Sequence, residues 1–69
     1  MNVYVFKTSV EENTLEHVNQ LLDGVLSGSS WSFDLEDRDK ILRIVCDELD
    51  TTLLTTCFNN EGFFIEELE

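Results

Sequence analysis

Residues 30–36, Ser-Trp-Ser-Phe-Asp-Leu-Glu, alternate polar and apolar side chains without a break. A period of two is the mark of a strand with one buried face. Four residues later Ile41-Leu42-Arg43-Ile44-Val45-Cys46 runs almost continuously apolar, as a central strand does. The acidic link Glu36-Asp37-Arg38-Asp39 between them is short enough only for a hairpin. A sheet with one covered and one open side is therefore the frame into which the rest of the chain must fit.

The flanking segments fill that frame. Residues 2–8, Asn-Val-Tyr-Val-Phe-Lys-Thr, are rich in β-branched and aromatic types and predict a strand. From Glu11 the period changes: Leu15, Val18, Leu22, Val25 and Leu26 recur at steps of three and four, one apolar face of a helix. Ser-Gly-Ser-Ser at 27–30 ends it. Asp50 or Thr51 is placed to cap a second helix with Leu54, Cys57 and Phe58 inward and Leu53 beside them. Gly62 is suited to its C-terminal stop, and residues 63–68 read as a last strand. The order β-α-β-β-α-β, without proline or a long linker, predicts one α+β domain over residues 1–69. Two right-handed crossovers then give a ferredoxin-like two-layer sandwich, an antiparallel sheet in order 4-1-3-2 with both helices on one face.

Charge narrows the function classes. Fifteen acids against four bases give a formal net charge of −11. Such a surface repels nucleic-acid phosphates and anionic lipid heads and favours basic partners or cations. No stretch approaches the ~20 apolar residues of a membrane span, and the first ten residues do not read as a signal peptide. The expectation is a cytoplasmic protein with no nucleic-acid or membrane partner. In that compartment Cys46 and Cys57, eleven positions apart, are expected to be thiols in or near the core.

Two stretches resemble the heavy-metal-associated domains of copper chaperones and metal-pumping ATPases. Residues 31–36, Trp-Ser-Phe-Asp-Leu-Glu, resemble that family's second strand, and Gly62-Phe63 followed by Glu66-Glu67-Leu68 its last strand. The likeness spans nearly the whole chain in pattern rather than identity, and the ending Glu-Glu-Leu-Glu is also similar to that of a group of short bacterial proteins. It implies the ferredoxin-like fold, but not the family's metal transport. The family holds a soft ion in a Met-x-Cys-x-x-Cys loop after the first strand, two thiolates giving low-coordinate geometry. Laid on Thr8–Leu15, that motif puts Val10 at the Met, Glu12 at the first Cys and Leu15 at the second. The chain resembles a degenerate member without the thiol pair.

Other metal readings are weak. Cys46 and Cys57 form the only alternative soft pair, for which the plain reading is two small core residues. His17 stands alone on the first helix. The acids Asp34, Glu36, Asp37 and Asp39 fail the EF-hand spacing, since counting from Asp34 places Asp39 at position six and Val45 at position twelve. No nucleophile with an evident base and no glycine-rich phosphate loop is present, so no enzyme and no cofactor is expected.

The remaining candidate is the open side of the sheet. The resemblance implies that Tyr4, Phe6, Trp31, Phe33, Leu35, Leu42, Ile44, Phe63 and Ile65 face inward, which leaves Val3, Val5, Ile41, Arg43, Val45 and Phe64 outside; the opposite register would turn Tyr4, Phe6 and Leu42 outward instead and keep an apolar patch with different members. The edge strand adds Ser30, Ser32 and Asp34. An apolar patch of that kind marks an interface when it is contiguous and exposed; the plain alternative is that strands prefer β-branched residues. The expectation is a non-catalytic interaction module that binds an unidentified protein or a second copy of itself. The alternative is a metal-handling protein with non-standard ligands.

Overall fold

A computed structural model describes residues 2–68. The chain runs β1 (Asn2–Thr8), a single 3₁₀ turn (Glu12–Thr14), α1 (Leu15–Val25), β2 (Ser30–Asp34), β3 (Ile41–Cys46), α2 (Thr51–Asn60) and β4 (Ile65–Leu68). The four strands form one sheet in the order β2-β3-β1-β4, which counted from the β4 edge is 4-1-3-2. Every neighbouring pair is antiparallel. This is an α+β architecture in which a four-stranded sheet packs against two helices.

The alternation seen in sequence settles which side the helices cover. Phe6, Leu42, Ile44 and Ile65 point from the sheet into a core completed by Val18, Leu22 and Leu26 of the first helical segment and by Leu54 and Phe58 of α2. Val10, in the connection after β1, is fully buried with them. Tyr4, Trp31, Phe33, Leu35 and Phe63 pack around the edge of this cluster. All nine residues assigned inward from the sequence thus lie in or against the core. Trp31 fixes β2 to α1 by donating its indole N–H to Asn19 Oδ1 at 3.1 Å.

Local chemistry explains the helix ends. The Asp50 carboxylate accepts the Leu53 amide at 3.0 Å, satisfying one of the donors that a helix start leaves free. At the other end, Gly62 takes φ +84°. Its amide donates to the Asn59 carbonyl at 3.1 Å, and that of Phe63 donates to Phe58 at 2.9 Å. These two bonds make a Schellman stop, and the Phe58 and Phe63 rings meet edge to face with centroids 6.1 Å apart. Because Phe63 is used in closing the helix, β4 begins at Ile65, two residues later than the sequence pattern suggests.

Among the described residues one polar side chain is buried. Thr8, at the end of β1, is 5% exposed. Its hydroxyl donates to the Lys40 carbonyl and accepts the Val10 amide. Lys40 itself has φ +51° at the foot of the hairpin, the one non-glycine residue in left-handed backbone among those described.

Candidate interaction face

The register of the sheet turns the open side into three rows. In the first, Asp34 of β2, Ile41 of β3, Lys7 of β1 and Glu66 of β4 lie side by side. The second holds Ser32, Arg43, Val5 and Leu68. The third holds Ser30, Val45 and Val3. Directly opposed side chains in such rows stand about 4.5–5.5 Å apart, so each row is a chain of contacts. An apolar stripe of Val45, Val3, Val5 and Leu68 runs diagonally across the sheet, with Arg43 at its flank between Ser32 and Val5.

Exposure within the stripe is uneven. Val3 is 63% exposed, Val5 and Val45 are half-buried, and Arg43 is exposed. Ile41 departs from expectation: it belongs to the outer side by register but is only 6% exposed. It lies between Lys7 and Asp34, and Lys7 is drawn toward the hairpin by its ion pair with Asp39 at 3.6 Å. Polar neighbours on both sides thus screen it, a long lysine stem being able to cover apolar surface while its charge stays in water. Ile41 is therefore not part of the accessible face. Phe64 is 49% exposed but lies outside β4; its amide and carbonyl are both bonded to Ser9, at 2.8 and 3.2 Å. It borders the face at the sheet edge rather than standing within it.

Lys7 and Leu68 complete the face and were not among the candidates read from sequence. Their signal was present in the alternation: Lys7 follows Val3 and Val5 at steps of two, and Leu68 follows Glu66. The charged members, Lys7 and Arg43 against Asp34 and Glu66, balance. The chain's entire net charge of −11 therefore belongs to the rest of the molecule.

The segment equivalent to the heavy-metal ligand loop has a different character. Glu12 and Leu15 line an open groove of about 590 Å³ together with Glu11, Phe33, Asp34, Leu35, Glu36 and Lys40. Its lining has no cysteine, histidine or serine. Lys40 Nζ is occupied there, donating to the Leu35 carbonyl at 3.1 Å. The hairpin acids shape their own turn: Asp34 accepts the Asp37 amide and Asp37 accepts the Asp39 amide. Cys46 and Cys57 are free and half-buried. Among the described residues, no three or more His, Cys, Asp or Glu side chains gather as metal donors. His17 instead contacts Glu61 Oε1 at 2.5 Å and lies beside the Phe63 ring, tying α1 to the end of α2. No described helix is long and apolar enough to cross a membrane.

Comparison with protein-family models finds no match, and neither does comparison with curated proteins or with solved structures. The functional reading therefore rests on the face itself.

Proposed function

We propose that this chain is a non-catalytic interaction module on a ferredoxin-like fold, similar in pattern to heavy-metal-associated domains but without their thiol pair. The open side of its sheet is the binding surface. The observation that carries this reading is the stripe of exposed Val3 and half-buried Val5 and Val45 beside Arg43, on a side that neither helix covers. A sheet face left to water is ordinarily studded with polar residues, and an apolar stripe rimmed by charge is what a protein interface presents.

The reading is tested by capture with the immobilised protein, comparing the natural chain with Val5→Lys and Val45→Lys. Both substitutions put a charge in the stripe while leaving the helix-facing core untouched. Loss of a partner, or of self-association, in both variants supports the face. Unchanged capture and unchanged oligomeric state in both variants overturn it.

A further inference from the structure

We propose that the groove between the β1–α1 connection and the β2–β3 hairpin binds a short basic segment of another protein. Apolar side chains of that segment lie on the groove's floor, and its lysine or arginine side chains meet the rim. This is a second surface, independent of the open sheet side; Asp34 alone borders both.

The floor comes first. Leu15 opens α1, Phe33 stands near the end of β2 and Leu35 lies just beyond it, and all three line the groove half-buried. The alternation of β2 sends Phe33 and Leu35 toward the helical side, yet α1 begins only at Leu15 and leaves them partly open. The volume of about 590 Å³ lies within the ~300–1,000 Å³ of ordinary ligand sites.

Charge then selects the occupant. Glu11 and Glu12 come to the groove from the connection, and Asp34 and Glu36 from the hairpin. Against these four carboxylates stands one ammonium, that of Lys40, held on the Leu35 carbonyl at 3.1 Å. Part of this charge has local uses: Asp34 accepts the Asp37 amide, and a helix start favours acids such as Glu11 and Glu12. Glu36 has neither reason to be there, and among the described residues neither it nor Glu12 makes a hydrogen bond or ion pair. The net charge of −11 draws cations toward the whole molecule and turns away acidic partners, including a second copy. The apolar floor decides where a cation with an apolar body comes to rest. An extended segment alternating basic and apolar residues turns its apolar side chains to one face. Its long basic side chains then reach back to carboxylates on both sides of the groove.

A blocked Arg-Leu-Arg-Leu peptide, titrated into the natural chain and followed by amide chemical shifts, tests this. Shifts are expected at Glu11, Glu12, Leu15 and Glu36, with half-saturation on the order of 0.1–1 mM. An Arg-Ser-Arg-Ser peptide of equal charge should bind about fivefold more weakly, lacking the apolar contact. Glu12→Gln and Glu36→Gln should each weaken the first peptide by about two- to fivefold. Both positions are exposed, so the variants keep the fold, which a thermal melt verifies. Asp23→Asn removes the same charge from an exposed position of α1. It lies about 12 Å along the helix from Leu15, beyond the Debye length of about 10 Å at about 0.1 M salt, and should leave binding unchanged.

Absence of saturable shifts up to about 5 mM peptide overturns the site. Equal affinity for the two basic peptides, or equal weakening by Asp23→Asn and Glu12→Gln, reduces the binding to general attraction and overturns it too. Shifts confined to the open side of the sheet overturn the groove and leave the interaction reading of that side standing.

Discussion

The hydroxyl of Thr8 donates to the main-chain carbonyl of Lys40 across 2.6 Å, joining the end of β1 to the foot of the β2–β3 hairpin. The same oxygen accepts the Val10 amide at 3.2 Å. One buried side chain thus holds a strand end, a hairpin and the start of the connection to α1. Thr8→Val keeps the shape and removes the hydroxyl. The Lys40 carbonyl still receives the Thr8 amide, but the Val10 amide loses its acceptor in a buried setting. The expected cost is about 1–3 kcal/mol, read as a fall in urea midpoint, while Thr8→Ser should retain most of the stability. A larger loss in Thr8→Ser than in Thr8→Val would show that the methyl group, not the hydroxyl, matters.

Glycines 62 and 24 should answer the same substitution with opposite signs. Gly62 sits at φ +84° with open space around the position a Cβ would take. Its replacement by alanine therefore carries a purely conformational cost of about 1–2 kcal/mol. Gly24 lies inside α1, also with nothing near its missing Cβ. Gly24→Ala is expected to stabilise by about 0.4–1 kcal/mol. For a domain this small each 1 kcal/mol moves the melting temperature by roughly 4–8 °C, so a calorimetric scan separates the two.

His17 and Glu61 link the helices at the surface, with side chains 58% and 37% exposed. Exposed pairs are worth little whatever their distance. A double-mutant cycle through His17→Gln and Glu61→Gln is expected to give a coupling of about 0.2–1 kcal/mol. A larger value would mean that the Phe63 ring beside His17 shields the pair from water.

Added salt should stabilise the fold. Fifteen acids among four bases repel one another in the compact state more than in the unfolded chain, and screening relieves this. The melting temperature is expected to rise by several degrees between about 0.02 M and about 0.3 M sodium chloride, where stability changes on the order of 1 kcal/mol are resolved. A flat or falling response would show that ion pairs such as Lys7–Asp39 outweigh the general repulsion.

Much of the framework was legible because its residues obey simple periods. Asn2–Thr8 and Ile41–Cys46 are strands over the same residues that composition and alternation suggest, and Asp50 caps α2 as its position implies. What failed to show were features set by neighbours in space. Ile41 reads as an outward residue and is one, yet its register partners hide it. Phe63 and Phe64 look like strand because both are aromatic, but a Schellman closure takes the first and bonds to Ser9 hold the second. Lys7 reads as the polar end of a strand, and only the pairing with Glu66 and Ile41 makes it part of a balanced face. The candidate site was legible as a list of residues; its electrical neutrality required the register.

The placement of the four bases has one more consequence. None lies between Ser9 and Asp37 or after Arg43, so every helical residue belongs to a stretch without lysine or arginine. The acids follow a different rule: α1 carries only Glu16 and Asp23 and α2 none, so most of the negative charge sits in the turns and connections at the ends of the strands and helices. Near any positively charged surface, a resin bead as much as a cellular assembly, the molecule is therefore held by its turns rather than by a flat face of either layer.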